Sequence, residues 1–426
     1  MDQLAQLQEE NQRLRKAVEE LSILNELARV ISSTMNLDAV IENVVKRSVR
    51  AAHGQQGMIT LVDEQAPTEM KTLIRAQSTS DHQQFHLHQN VLGWMMINKK
   101  PLLSNDITAD PRFSGVRAEG EQRSLLCVPL LVKNRLVGIL AVFNKKDGSD
   151  FTSDDQRLLS IIAAQSGQIL ENARLYEQEK SLITMQEQVK LASKIQTELL
   201  PQKAPPIPGY EIAGKSIPAQ QVGGDYFDFI HIDDHRLAVC LGDVSGKGLP
   251  ASLLMANTQA TLRGQTLLAN SAKECIQRSN TLLFRSTSDE KFVTLFYGIL
   301  DFARNELRFC NAGHDNPYLL SEGKEPRRLK TGGIVLSVME EFPYDEEVVG
   351  IEPGEMLVIY SDGIPEAMNM HQELFSDLKL GALLKDCPSL SAMEVIDKVV
   401  AAAKAHAGNW PQSDDMTMLV VKRLKG

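Results

Sequence analysis

The chain has 426 residues, room for two or three domains at roughly 100–200 residues each, and its 43% hydrophobic and 23% charged residues are ordinary for a soluble globular protein. A formal net charge of −10 gives it no bulk electrostatic attraction to nucleic acid or to an anionic membrane. No apolar run reaches the roughly 18 residues of a transmembrane helix, and the polar start MDQLAQLQEENQRLRK lacks the apolar centre of a signal peptide.

Residues 1–24 read as a helix. Leu4, Leu7, Leu14, Val18 and Leu21 fall on the a and d positions of heptads, with Asn11 at an a position. Leucine at d with one Asn at a favours a parallel two-stranded coiled coil, because paired Asn side chains satisfy each other in one register only. A homodimer is therefore expected; a solitary amphipathic helix packed on its own domain is the other reading of the same pattern.

Residues 25–177 form a second block. A helix (LARVISSTMNLDAVIENVVKRSVRAA) leads into β-rich runs, GMITLVDE, KTLIRAQS, SLLCVPLLVKN and RLVGILAVFNKK. Between them lies VLGWMMINKKPLLSNDITADPRF, a short helix and a polar loop. A helix opening at a Ser/Asp cap, SDDQRLLSIIAAQSGQILENARLYEQE, closes the block. The five cysteines, Cys127, Cys240, Cys275, Cys310 and Cys387, are scattered without a C-x-x-C, so they read as buried small hydrophobes in a reducing cytoplasm. Trp94, Met95, Met96 and Cys127 either line a pocket or fill a core, and core is the commoner fate of such residues.

This order of elements resembles a GAF domain, a small-ligand sensor fold. The resemblance rests on GWMMINKKPLLSNDITADPRF, VPLLVKNRLVGILAVFNK and FTSDDQRLLSIIAAQSGQILENARLY. Asn144, Lys145, Phe151 and Asp155 echo a pattern of cyclic-nucleotide-binding members, with Gln156 where those have Glu. At this position such residues more often tie a strand end to the last helix.

Residues 178–200 continue the helix as a linker. Leu182, Met185, Val189, Ala192 and Leu199 keep heptad spacing, and Gln196 interrupts it at an a position. Pro201, followed by Pro205, Pro206 and Pro208, ends the helix, since proline lacks the backbone donor and clashes with the preceding turn. Such a rod either transmits a signal or only spaces two domains.

In residues 201–426 aspartates recur at strand ends and Gly-rich turns. Asp225 lies in VGGDYFD, Asp243 follows the strand of HRLAVCLGDVSGKG, Asp362 follows that of EMLVIYSDGIPEA, and Asp414 and Asp415 precede MTMLVVKRL. Strand ends hold side chains on a rigid scaffold, and adjacent glycines let backbone and metal approach closely. Carboxylates without thiolate or clustered imidazole suit a hard cation, Mg²⁺ or Mn²⁺. Two such ions, roughly 3.5–4 Å apart, can activate water and clamp an in-line phosphoryl displacement. A single Asp-Gly is usually just a turn; four acidic sites at strand edges are harder to dismiss. No G-x-S-x-G elbow, P-loop or H-E-x-x-H occurs in this half.

This half resembles the bacterial PPM (PP2C-like) phosphatases of the SpoIIE/RsbU type. The matching stretches are ASKIQTELLP, VGGDYFD, GDVSGKGLPASLLMA, FVTLFYGILD, NAGHDNPYLL, PGEMLVIYSDGIPEAMN and DDMTMLVV, in the family's order. The resemblance implies an αββα sandwich in an α+β multidomain chain, and a serine/threonine phosphatase using two Mn²⁺ or Mg²⁺ ions. It implies that Asp243 bridges both metals with the carbonyl of Val244 assisting, and that Asp362 ligates the second. Asp414 is the preferred ligand from the last motif, with Asp415 beside it. Asp225 would orient water directly or through a metal's ligand shell. Ser245, Gly246 and Lys247 would shape the adjoining loop. His314, in Asn311-Ala312-Gly313-His314, is either an acid for the leaving serine oxygen or a structural residue of a tight turn. The implied substrate is a phosphorylated STAS-domain anti-sigma-factor antagonist, acting by partner switching in the cytoplasm, under control of the GAF domain through the helix. A non-catalytic scaffold with a pseudophosphatase domain is the alternative. The family's Gly-x-Pro-Leu-Gly turn is here Gly333-Ile334-Val335-Leu336-Ser337, a departure that touches no implied ligand.

Overall fold

The structure is a computed structural model and describes Glu10 and residues 36–62, 72–73, 87–113, 122–288 and 290–425. The expected N-terminal coiled coil lies outside the described residues, as do parts of the first helix and of the GMITLVDE and KTLIRAQS strands. Two compact units divide at Thr184/Met185. That point falls inside the expected linker, so the last helical turns count with the second unit.

The first unit is built on an antiparallel sheet ordered β2-β1-β5-β4-β3, with β1 Gly54–Leu61, β2 Thr72–Leu73, β3 Leu102–Ser104, β4 Leu125–Val132 and β5 Arg135–Lys145. β4 and β5 form a hairpin closed by Lys133 and Asn134, both at positive φ (45° and 67°), the backbone twist that a two-residue turn requires. Side chains alternate across the sheet. Leu126, Val128 and Leu130 face helices α1 (Leu37–Ala51) and α3 (Ser153–Leu199), meeting Val40, Val44, Leu159 and Ile162. Leu125 and Cys127 face the other way, toward Val91 and Met95 of α2 (Gln89–Asn98). Met95 and Cys127 are thus core, with Trp94 and Met96 partly buried against it. Asn36 caps α1, its side chain accepting the Ala39 N–H at 3.2 Å.

The four residues shared with the cyclic-nucleotide-binding pattern are structural ties here. Asn144 Oδ1 accepts the N–H groups of Arg123 and Ser124, each at 2.9 Å. Lys145 pairs with Asp155 at 2.8 Å and lies over the Phe151 ring, joining the end of β5 to the start of α3.

The second unit stacks two sheets between two helix pairs. One sheet runs β13-β10-β9-β8-β7 with β14 also on β10; the other runs β12-β11-β15-β16-β6. Their strands are β6 Tyr210–Ile217, β7 Tyr226–His231, β8 Arg236–Val244, β9 Val293–Asp301, β10 Glu306–Ala312, β11 Tyr318–Leu320, β12 Arg327–Arg328, β13 Gly332–Gly333, β14 Glu347–Gly350, β15 Met356–Tyr360 and β16 Met416–Arg423. The inner faces meet through Phe227, Leu241, Phe296 and Phe309 on one side and Leu357, Ile359, Leu419 and Val421 on the other. Outside the first sheet, α4 (Leu249–Thr266) and α5 (Ala272–Ser286) press Met255, Leu262 and Ile276 onto Tyr226, Cys240 and Tyr297. Outside the second, α6 (Ser376–Lys385) and α7 (Ala392–Ala407) press Leu380, Leu384 and Ile396 onto Met356, Val358 and Val420. This is the expected αββα order of layers. All five cysteines are buried and unpaired. Among the described residues no helix is long and apolar enough to cross a membrane.

Candidate active site

Antiparallel pairing brings the implicated aspartates to one edge of the sandwich. In the first sheet Tyr226 opposes Gly242, so Asp225, just before β7, lies beside Asp243 near the end of β8. In the second sheet Tyr360 opposes Met418, so Asp362, just past β15, lies beside Asp414 and Asp415, just before β16. Each sheet thus contributes carboxylates from one strand start and one strand end. Of these, Asp243 and Asp362 line a cleft of about 440 Å³ whose wall also carries His314, Asp315, Glu366 and Asp377.

The glycines beside the aspartates permit this crowding. A Cβ on Gly223 would stand 2.2 Å from Asp415 Oδ2, and one on Gly224 would stand 3.0 Å from the Val244 carbonyl oxygen and 3.3 Å from Asp243 Oδ1. The Ser245–Lys247 turn is held by reciprocal bonds between Ser245 and the backbone of Phe292: Ser245 N donates to Phe292 O and Phe292 N donates to Ser245 Oγ, each at 3.0 Å.

Asp225 is 3% exposed, and Ser361 Oγ donates to its Oδ2 at 2.7 Å. Burial first, and the Asp243 charge second, push its carboxyl well above the usual range. Asp243 is pushed up to about 7 by burial and by the charges of Asp362, Asp414 and Asp415. Asp362 is pushed up to about 6 by burial, then by Glu366, Asp414 and Asp315. Asp315 is raised too, by burial and then by Asp377. Lys247 Nζ partly offsets this negative field, pairing with Asp414 Oδ2 at 2.8 Å.

The donor chemistry fits hard divalent cations: oxygen donors only, with carboxyls so crowded that protons, Lys247 or added positive charge must compensate them. Among the described residues no three acidic, His or Cys side chains already stand as a ligand cluster. What the residues offer is therefore ligand chemistry on a shared edge, not a closed cage.

Asp415 departs from the ligand expectation. Its Oδ1 accepts the Ala219 N–H at 2.7 Å, and its Oδ2 accepts those of Gly224 at 2.7 Å and Asp225 at 3.4 Å. Both oxygens are spent on backbone donors and the residue is 7% exposed, so its geometry is that of a brace for the Asp225 loop. Asp414, 31% exposed at its side chain, keeps the accessible carboxylate.

Several residues of the site were not singled out in the sequence. Ser361 and Thr417 hold Asp225 and the start of β16; Thr417 N donates to Ser361 Oγ at 2.9 Å. Ser361 precedes Asp362 in a motif already in hand, and a hydroxyl beside a strand-end carboxylate was the available signal. Asp315 and Glu366 lie in quoted motifs as well. Gln196, read as a break in the heptads, donates Nε2–H to the Gly223 carbonyl at 2.7 Å and accepts the Gly223 N–H at 3.0 Å. The Gly333–Ser337 departure adjoins the site: Gly333 pairs with Ala312, Leu336 exchanges backbone bonds with Val293, and Val335 lies under Gly313, where a Cβ would stand 2.5 Å from Val335 Cγ1.

Comparison with known proteins agrees with this architecture. The family described as Stage II sporulation protein E (SpoIIE) matches residues 233–424, and the GAF domain family matches residues 34–171. The first match includes Asp243, Asp362 and Asp414 and begins after Asp225. Phosphoserine phosphatase RsbU of Bacillus subtilis is 25% identical over 253 residues, covering 58% of this chain and 75% of RsbU. Protein IcfG of Synechocystis is 28% identical over 257 residues, covering 54% of this chain but only 40% of IcfG. Among solved structures, the SiaA-PP2C domain of Pseudomonas aeruginosa aligns with a TM-score of 0.51 at 21% identity, covering 57% of this chain and 98% of that domain, a likeness of fold. The chain therefore carries a GAF domain followed by a SpoIIE-type, PP2C-like phosphatase domain.

Proposed function

We propose that the second unit hydrolyses phosphoserine or phosphothreonine on a partner protein, with Mn²⁺ or Mg²⁺ as cofactor. The observation that carries this reading is the crowding of Asp225, Asp243, Asp362 and Asp414 from both sheets at one edge of the sandwich, where Asp243 and Asp362 face a cleft. Asp243, Asp362 and Asp414, with the Val244 carbonyl, would hold the ions. Bound there, divalent ions supply Lewis acidity and lower the pKa of water, so no protein nucleophile is needed. Asp225, fixed by Ser361 and by the backbone that Asp415 braces, would orient the attacking water.

The substrate we infer is a phosphorylated STAS-domain protein, whose dephosphorylation in the cytoplasm would release a sigma factor by partner switching. The GAF domain would set the activity through α3, in a homodimer. The relative RsbU of Bacillus subtilis, a phosphoserine phosphatase, supports this reading. The test is hydrolysis of p-nitrophenyl phosphate and of a phosphoserine peptide by the full chain in MnCl₂, MgCl₂ or EDTA. Turnover that needs metal and vanishes in Asp243→Asn is expected; turnover that survives EDTA or Asp243→Asn overturns the assignment.

A further inference from the structure

The connection from β10 to β11 crosses from one sheet to the other at the catalytic edge, and His314 sits on it. The connection is built to place that residue. Gly313 takes φ +67° over Val335, His314 N donates to Asn311 Oδ1 at 2.8 Å, and Asn311 Nδ2 donates to the His314 carbonyl at 3.0 Å. The imidazole is 6% exposed. Its Nδ1 stands 2.9 Å from Thr294 Oγ1, and that hydroxyl lies 3.5 Å from the main-chain oxygen of Asp243, which Thr294 opposes across β8 and β9. Its Nε2 is sealed from solvent and has no hydrogen-bond partner, and the ring lies by the main chain of Tyr360. Tyr360 ends β15, two residues before Asp362. One ring therefore touches both strand ends that deliver the central carboxylates.

We propose that His314 is a positioning residue: a neutral imidazole keyed between Thr294 and Tyr360 that fixes the Asp243-bearing and Asp362-bearing strand ends relative to each other, and that gives no proton to the leaving serine. The inference rests on the phosphatase reading above. A general acid must reach the leaving oxygen directly or through one water. Nε2 is closed off from the cleft, and Nδ1 is engaged by Thr294. In either tautomer Nδ1 pairs with the Thr294 hydroxyl, the group that reaches toward the main chain of Asp243. Burial holds the ring's pKa down to about 4, which suits a fixed neutral bridge. Groups that orient ligands in this indirect way commonly change metal affinity by roughly 10–100-fold when removed.

The test uses the full chain with His314→Ala, His314→Gln and Thr294→Val. Mn²⁺ affinity is read by calorimetry, and kcat is read on p-nitrophenyl phosphate and on a phosphoserine peptide. For His314→Ala we expect Mn²⁺ affinity to fall by about 10–100-fold, kcat to fall by one common factor on both substrates, and the pH profile to keep its shape. His314→Gln, a neutral hydrogen-bonding side chain, should recover most of the loss. Thr294→Val is nearly isosteric and reports on the same bridge should His314→Ala fail to fold; about a 10-fold loss of Mn²⁺ affinity is expected. Unchanged Mn²⁺ affinity in Thr294→Val overturns the proposal. So does a loss confined to the phosphoserine peptide, whose poor leaving group needs an acid that p-nitrophenolate does not. Wild-type protein that neither binds Mn²⁺ nor turns over substrate overturns the phosphatase reading and this one together; wild-type protein that does both, with variants that match it, overturns this one alone.

Discussion

Gln196 brackets Gly223, giving Nε2–H to its carbonyl at 2.7 Å and taking its N–H at 3.0 Å. The bracket joins the last turns of α3 to the loop that carries Asp225, and Gln259 Nε2 adds a bond to the Leu199 carbonyl at the helix end. Gln196→Ala leaves two backbone groups of a tight loop without partners, a cost of about 1–3 kcal/mol. We expect a lower denaturation midpoint and at least about a 10-fold lower kcat, since loss of 1.4 kcal/mol of orientation is a factor of ten. Urea denaturation and phosphoserine-peptide kinetics on the same preparation check both.

Asp243→Asn and Asp362→Asn should separate catalysis from stability in opposite directions. Each removes a donor for the ions, so hydrolysis should drop by about 10³-fold or more, consistent with loss of several kcal/mol of charge stabilisation. Each also removes a crowded, partly buried negative charge. Metal-free protein at pH 8 should therefore gain on the order of 1–3 kcal/mol. Denaturation in EDTA is the measurement; a destabilised metal-free variant would contradict the crowding described here.

The pH dependence of the metal-free protein follows from the same groups. Asp243 and Asp362 ionise at about 7 and about 6 when folded, against a usual 3.8. The folded state thus holds extra protons between about pH 4 and 7, and stability from these carboxyls, full below the unfolded pKa, is lost as pH rises through the folded values. His314 works in the opposite sense: its pKa, lowered to about 4, makes stability rise with pH over part of the same window. With Asp225 raised as well, the carboxyls outnumber the imidazole, so a net decline toward pH 8 in EDTA is expected, and Mn²⁺ should abolish it. Melting curves from pH 5 to 8 with and without Mn²⁺ give the answer.

Ser337→Gly should stabilise the chain. Ser337 holds φ +72°, and its buried Oγ has no hydrogen-bond partner. Relief of left-handed strain and of an unsatisfied hydroxyl is worth about 1–2 kcal/mol, slightly offset by the greater freedom of glycine when unfolded. Chemical denaturation of wild type and variant is sufficient. Ser337 N, which donates to Asn280 Oδ1 at 2.9 Å, keeps its bond in the variant.

The layers of the second unit were legible through the family resemblance, because its central strands, buried on both faces between sheet and helices, read as continuous apolar runs and not as alternation. The aspartates at strand ends beside glycines were legible from the residues themselves, and these ends gather at one edge. The resemblance preferred Asp414 to Asp415 as a ligand, but nothing in the residues themselves told what Asp415 does instead. Only the fold reveals that the N–H groups of Ala219 and Gly224 claim Asp415. Gln196 was visible as a polar residue in an apolar heptad, but the pattern carries no record of Gly223 27 residues away. In the first unit, Asn144, Lys145 and Asp155 carried two readings in the sequence; the Lys145–Asp155 pair and the Asn144 bonds to residues 123 and 124 favour the structural one.

The catalytic edge takes half its carboxylates from each sheet. An ion held by both halves would also pin two layers that are otherwise joined by apolar contact and by a few polar bonds such as Ser361–Asp225 and Gly224–Asp415. Ligand that binds only folded protein raises stability by about 2.7 kcal/mol at 100 times its dissociation constant. The cell's supply of divalent cation would then govern how long each molecule survives proteolysis as well as how fast it works, and a starved pool would thin the enzyme before it silenced it.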